Sequence, residues 1–347
     1  MSQLFLVGTG EKVVYSCHLS STGQLQKLDE QTTGDGPSWL QLSLTKNIIY
    51  IVNEFVHKIA TYSIEDRLHG KISLLSTPVS SLGETPCHLD VHPSGKYLGV
   101  ANYGGKSTFA IFPLLENGIP DVEHAITQDI EGSGPKPQQV HSRGHCILFH
   151  GSYVYVVDLG TDSINSYHFD DSTGQIKPNH RTLTEAGAGP RHLVFHPTKP
   201  LAYVCNELNS TTNAYSVDKS LGKLTHIQTI TTRKNPNDKT DNAPAEITFS
   251  PDYKYLLVSN RGDNTIIVYN CDLPDGQLTI HEHLDCKGAF ARYFGFDPTG
   301  QFLLIANQNS NNLICYSYKN EKFNFCSELS GIKTGQHIFW LNNEEKK

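Results

Sequence analysis

Five side chains far apart in the chain are of types that could bind and transform a small anion: His145, Arg191, Glu207, Arg261 and Arg292. Arginine offers planar, paired N–H donors that match a carboxylate or a phosphate. A glutamate or histidine beside such a cluster can accept or deliver a proton. The five matter only if the fold brings them together, and an internal repeat of roughly 45 to 58 residues does so. Each of them falls at one of two equivalent positions in that repeat.

The repeat is visible in segments that end in His-Pro, Ser-Pro or Asp-Pro: Leu89 to Pro93, Leu193 to Pro197, Ile247 to Pro251 and Phe294 to Pro298. An apolar run follows each (Tyr97 to Ala101, Leu201 to Cys205, Tyr255 to Ser259, Phe302 to Ala306), then an Asn and a polar turn. A third run comes next, and after it a fourth opened by Gly, as in Gly174-Gln175-Ile176 and Gly222-Lys223-Leu224. Four short antiparallel strands with turn signals make one blade of a β-propeller.

Two further units fit with defects, one near Gly36-Pro37 and one near His145 whose first turn is shortened. The ends supply the seventh blade. Gln336 to Leu341 reads as a first strand, and Leu4 to Leu28 reads as strands two, three and four. The predicted fold is therefore all-β: a seven-bladed β-propeller over residues 1–347, closed by pairing the N- and C-terminal strands in one blade. A solenoid would need distinct capping units, whereas these split ends complement one another. The stretches 233–242 and 131–139 read as loops.

In a propeller the first strand of each blade lines the central channel. The residues opening that strand are Ser38, Cys87, His145, Arg191, Ala245, Arg292 and Gln336; strand two ends beside them at Glu54, Tyr103, Leu159, Glu207, Arg261, Gln308 and Thr9. Two rings thus face one mouth. The candidate catalytic set is Glu207, His145, Arg191 and Arg261, and the candidate substrate-binding set is Arg292, Gln308, Asn260 and Glu54. Bland readings compete: the strand-end asparagines as turn formers, Arg191, Glu207 and Arg261 as an ion pair between blades, His145 as a satisfied interior histidine, and Glu54 as a rim charge. His88, His192 and His196 read as packing or turn residues.

A net charge of −7 with no Lys/Arg run longer than two excludes a phosphate-backbone footprint, so no nucleic-acid partner is expected. No apolar segment is long enough to span a bilayer, so no membrane partner is expected either. The eight scattered cysteines point to buried thiols in a reducing compartment, the cytoplasm, rather than to disulfides or zinc. Phosphate-loop, nucleophile-elbow, H-E-x-x-H and Cys-x-x-Cys motifs are absent. Spacing alone leaves open a metal site built from distant His and Asp, and it carries no signal for oligomeric state.

The chain resembles the cycloisomerase-type lactonases, a family of seven-bladed propellers that includes 6-phosphogluconolactonases and a carboxymuconate lactonizing enzyme. The resemblance rests on Gly187 to Pro197 (G-A-G-P-R-H-L-V-F-H-P), Asn206 to Ser210, Val157 to Asp162, Ala101 to Gly105, Ser259 to Gly262 and Ala306 to Gln308. It implies a cofactor-free site with no metal, in which His145, Glu207, Arg191 and Arg261 are the functional groups and Arg292 is a further pocket arginine. Arg143 stands where the family often has a second histidine, and Ala291 replaces a proline. The implied activity is hydrolysis of a small anionic sugar lactone, most specifically 6-phosphogluconolactone. The alternatives are a lactonizing cycloisomerase acting on carboxylates, or a propeller that only binds partners; Trp39 and Trp340, neither followed by Asp, speak against the last.

Overall fold

A computed structural model describes residues 3–341. Seven antiparallel sheets follow one another, and we number the blades 1 to 7 by their channel-side strands: Leu40–Leu42, Glu84–Val91, Gly144–His150, Pro190–Phe195, Ala243–Phe249, Ala291–Phe296 and Gly335–Trp340. Blades 1 to 6 run inside to outside in chain order, and blade 1 carries an extra short strand, Val79–Ser80. Blade 7 is closed as expected: Gly335–Trp340 pairs antiparallel with Gln3–Thr9, placing Phe5 opposite Trp340. Among the described residues the helical content is two 3-10 turns, Glu54–Val56 and Pro137–Gln139, and no helix is long and apolar enough to cross a membrane.

The second strand of a blade is covered on both faces, which is why it reads as a continuous apolar run. Ile48–Asn53, Tyr153–Asp158, Leu201–Asn206 and Phe302–Asn307 are buried along their whole length. The outermost strand of blade 3, Ile176–Leu183, is nowhere fully buried and is mostly polar. Apolar clusters form between neighbouring blades: Ile48, Tyr50 and Val52 of blade 1 pack on Leu89, Leu98 and Val100 of blade 2. Truncating one such side chain costs about 2–5 kcal/mol.

The glycine that opens strand four is required by close approach as well as by conformation. Gly222 has φ 60°, and a Cβ there would lie 2.6 Å from the ring of Tyr153 in the preceding blade. Most strand-end asparagines are tethers: their amides donate to a carbonyl of the loop entering the same blade, as in Asn53 to Thr33 (3.2 Å), Asn260 to Thr232 (2.8 Å) and Asn307 to Cys286 (2.8 Å). Asn206 differs, its amide donating to Thr211 Oγ1 and Asn213 Oδ1 across its own turn.

That loop delivers each channel strand through an irregularity. The register of strand one on strand two slips around Cys87, His145, Arg191, Ala245, Arg292 and Gln336, so six of the seven blades bulge at the ring position. A bulge places an extra residue on one strand and re-aims its side chain. Consecutive residues can therefore both face the channel, which strict alternation forbids.

Candidate active site

The bulges bring the charged ring residues of blades 4, 5 and 6 into one mouth. Arg191 comes from the bulge of blade 4, and Glu207 lies just after Leu201–Asn206 in the same blade, its backbone N–H donating to Gly189 O at 2.7 Å. Glu207 Oε2 lies 3.1 Å from Arg191 Nε and 2.6 Å from Arg261 Nη2. One carboxylate oxygen thus bridges two guanidiniums from adjacent blades, and Oε1 has no hydrogen-bond partner among the described residues. The arginines are fixed in turn: Arg191 Nη1 donates to Ala245 O (2.5 Å), Arg261 Nε donates to Ala243 O (3.0 Å), and the Arg261 guanidinium sits 5.3 Å above the Phe290 ring.

Arg292 differs from both. It borders the same water-sized cavity of about 10 Å³ as Arg191, yet makes no hydrogen bond or ion pair to any described residue. Burial first, and then the charges of Arg191 and Arg261, lower its pKa to about 10. It remains protonated at neutral pH, and an unpaired charge in such a place carries a large desolvation penalty. On Glu207, burial acts upward, but Arg261 and Arg191 outweigh it and hold the carboxyl below its ordinary value.

His145, on the bulge of blade 3, is buried, with its ring 5.6 Å from Tyr103 and Nδ1 3.9 Å from Cys87 Sγ. Burial and then Arg191 push its pKa well below the usual range, so the imidazole is neutral at pH 7. Arg143 stacks on Tyr103 at 4.7 Å, extending this side of the mouth.

Glu54 begins the 3-10 turn of blade 1 and contributes an opposing charge to Arg292; its Oε2 is buried without a partner. Gln308 Oε1 is likewise buried and unpartnered at the end of strand two in blade 6. Asn260 departs from the expectation. Its Nδ2 donates to Thr232 O and approaches Thr265 Oγ1 at 3.3 Å, while Oδ1 accepts from Asn242, so the whole amide is used inside its own blade and offers nothing to a ligand.

The residues missed from sequence lie one step further along the same strands. His192 borders the cavity together with Arg191 because of the bulge of blade 4, and Trp39 borders it together with Ser38 just before the short channel strand Leu40–Leu42 of blade 1. His88, Trp39 and His337 stack across the channel, with ring centroids 4.3 Å and 4.0 Å apart. His192 and His88 are therefore channel-lining residues, against the packing or turn reading. The signal that could have found them was the break in alternation at Arg191-His192, where two polar residues precede an apolar strand.

His192 Nδ1 lies 3.2 Å from Glu246 Oε2, and Arg191 Nη1 approaches His192 Nε2 at 3.4 Å. The donor on Arg191 makes Nε2 the acceptor, so Nδ1 carries the hydrogen. Burial, followed by the charge of Arg191, keeps His192 neutral, and burial raises Glu246 to about 8. The contact is then a hydrogen bond beneath Arg191 and not an ion pair at neutral pH. Among the described residues no group of three or more His, Cys, Asp or Glu side chains is placed to hold a metal ion.

Comparison with known proteins places this mouth in context. A family model described as lactonase, seven-bladed β-propeller, matches residues 5–334. A 6-phosphogluconolactonase of Bacillus subtilis is 30% identical over 271 residues, covering 76% of this chain and 74% of that protein. A 6-phosphogluconolactonase of Formosa agariphila is 30% identical over 295 residues, 81% of each chain. Among solved structures, a protein from Lactobacillus plantarum superposes with TM-score 0.90 at 28% identity over 99% of this chain and 100% of that one. A periplasmic gluconolactonase of Pseudomonas aeruginosa gives TM-score 0.89 at 24% identity over 98% and 99%, a likeness of fold.

Proposed function

The chain belongs to the seven-bladed β-propeller lactonase family, and from that premise we propose that it hydrolyses a sugar lactone, 6-phosphogluconolactone above all, to the open-chain acid. The observation that carries the reading is Arg292, a mostly buried guanidinium left without a protein partner beside a pair that already has one. Such a group is complementary to an anion carried by the substrate. A phosphate takes that place in this proposal, gripped by charge-assisted hydrogen bonds.

Hydrolysis needs a water aimed at the carbonyl carbon, a base for its proton, and donors for the oxyanion that develops. Glu207 Oε1, held open while Oε2 is pinned by two arginines, orients the water. His145 is neutral and buried at the opposite side of the mouth, and it accepts the proton as the new C–O bond forms. Arg261 faces the carbonyl oxygen as negative charge collects there. Collapse of the tetrahedral intermediate breaks the ring C–O bond, and the proton returns to the alkoxide, giving hydroxyl and carboxylic acid. Every step uses the chain's own side chains. The seven buried, unpaired thiols suit a reducing compartment, and we place the enzyme in the cytoplasm.

The test is the rate at which freshly prepared 6-phosphogluconolactone disappears with purified protein, measured against spontaneous hydrolysis. A wild-type rate well above background, lost in Glu207→Gln and in Arg261→Ala, supports the reading and its site. A wild-type rate at background discards this substrate.

A further inference from the structure

The mouth is asymmetric. The three arginines at its ring positions come from blades 4 to 6, whereas blades 6, 7 and 1 contribute buried polar atoms with no hydrogen-bond partner among the described residues: Gln308 Oε1, Gln336 Oε1, Ser38 Oγ and Glu54 Oε2. Native interiors leave few such atoms, and each calls for an explanation. Two of these side chains, Ser38 and Gln336, are only 5% and 7% exposed and border the same cavity as Arg292. Trp39, which also lines that cavity, has its Nε1 buried without a partner among the described residues.

We infer that Ser38, Gln336 and Glu54 form a subsite that reads the hydroxyl groups of a polyhydroxylated ligand, opposite the arginines that take its anion. The inference rests on the lactonase reading given above and names what distinguishes the substrate within it. A sugar hydroxyl both donates and accepts. It can donate to Gln336 Oε1 or to Glu54 Oε2, and accept from Trp39 Nε1 or Ser38 Oγ. The cavity, at about 10 Å³, admits one oxygen atom, the size of a water or a single hydroxyl.

A carboxylate has no hydrogen to give and carries charge. Placed on this side it would meet carbonyl oxygens of two amides and the Glu54 carboxylate, each repelling it. A ligand with carboxylates at both ends therefore fits the arginine side only. A ligand with one anionic group and a hydroxyl placed to enter this cavity fits both sides, which favours phosphosugar lactones over muconates in this chain. Sites built to hydrogen-bond a substrate hydroxyl discriminate strongly against analogues that lack it, because their buried polar atoms are then left unpaired.

The experiment compares glucono-δ-lactone, which carries the hydroxyls, with δ-valerolactone, which does not, using wild type, Ser38→Ala and Gln336→Leu. The subsite predicts that the ratio of kcat/KM for the first over the second falls about tenfold in each variant, the size expected for a lost hydrogen bond. Melting curves identify any variant that fails to fold. A second readout needs no turnover: the affinity for 6-phosphogluconate relative to inorganic phosphate, by titration calorimetry, falls about tenfold in Ser38→Ala. Unchanged ratios in both measurements overturn the inference and leave the cavity to a resident water. Equal losses on both lactones, with an unchanged calorimetric ratio, overturn it in favour of a structural role. If wild type hydrolyses neither lactone and also leaves 6-phosphogluconolactone at its spontaneous rate, the lactonase reading fails, and the calorimetric ratio still decides the subsite.

Discussion

The two ends of the channel are made by the same strands and have opposite chemistry. At the far end the repeated His-Pro, Ser-Pro and Asp-Pro turns use most of their polar atoms locally, although His196 Nε2 is buried without a partner among the described residues. His196 Nδ1 accepts from the N–H of Thr198 and Lys199 (3.2 and 3.0 Å), Ser250 Oγ accepts from Tyr255 N–H (3.0 Å), and Asp297 Oδ1 accepts from Phe302 N–H (2.6 Å). The vestibule there is large, about 1400 Å³, and is lined by Phe195, Phe296, Phe339 and prolines. At the near end the cavity admits one oxygen, yet Arg292, Gln336 Oε1 and Ser38 Oγ have no hydrogen-bond partner among the described residues. Size does not distinguish the candidate site; unpartnered polar groups gathered beside a guanidinium do. The regular turns of the repeat serve the fold, and the bulged segments carry the proposed site.

The largest effect expected from breaking this contrast is at Glu207. Replacing it with Gln removes the charge that holds Arg191 and Arg261 together and, in the proposed mechanism, weakens the acceptor that orients water. We expect kcat/KM to fall by at least about 10³-fold, combining the losses of water orientation and of electrostatic organisation. A fall of less than tenfold, measured by stopped-flow proton release on fresh lactone, would sink the assigned role.

Glu246 borders both the near cavity and the far vestibule, so it tests whether the two ends are separable. Its carboxyl is raised to about 8 in the folded protein, chiefly by burial, against about 4.5 in the unfolded chain. The folded state then binds the proton more tightly. Its contribution is fully present below about pH 4.5 and is lost as pH rises through about 8, on the order of 5 kcal/mol in all. Urea unfolding of wild type should show lower stability at pH 8.5 than at pH 5.5, and Glu246→Gln should flatten much of that slope. Asp90, raised to about 7 by burial, adds a slope of the same sign that the variant retains. Because His192 stands between Glu246 and Arg191, a parallel change in KM would mean that the pair also positions the arginine.

Arg292→Ala sharpens the contrast within the near mouth. Loss of a charge-assisted contact is worth about 1.5–3 kcal/mol, or roughly ten- to a hundredfold, and should appear in KM for 6-phosphogluconolactone. The unphosphorylated lactone should respond far less. Equal losses on both would move Arg292 from the phosphate to the reacting carbonyl.

Much of this was legible before any coordinates. The Gly at the start of strand four and the Asn at the end of strand two are needed by backbone and packing, so they recur in the chain and set the blade count. Residues opening strand one were placed at the mouth by register alone, and Arg191, Glu207 and Arg261 do meet there. Glu246 was not legible, and His192 only through the break in alternation at Arg191-His192, because a bulge upsets the period on which such a reading depends. Asn260, expected to bind substrate, has its amide consumed by Thr232, Thr265 and Asn242. Which polar atoms remain unspent is a three-dimensional count, and strand register cannot supply it.

The smallest effect belongs to the far end and is diagnostic for that reason. His196 follows the same sequence pattern as His192, four positions later, and each is buried. Their surroundings differ: His192 meets Arg191 and Glu246, whereas His196 packs against Phe249 and Tyr253 and caps two backbone N–H groups of its own turn. Removing such a cap costs about 1 kcal/mol, so His196→Ala should lower the urea midpoint modestly. Asn, which can accept from the same N–H groups, should recover part of the loss. Neither change should move kcat or KM, because nothing at that turn reaches the arginines. A kinetic effect of His196→Ala larger than its stability loss explains would show that the aromatic and imidazole layer between the two ends transmits structure, and the division of the channel into a structural end and a chemical end would have to be abandoned.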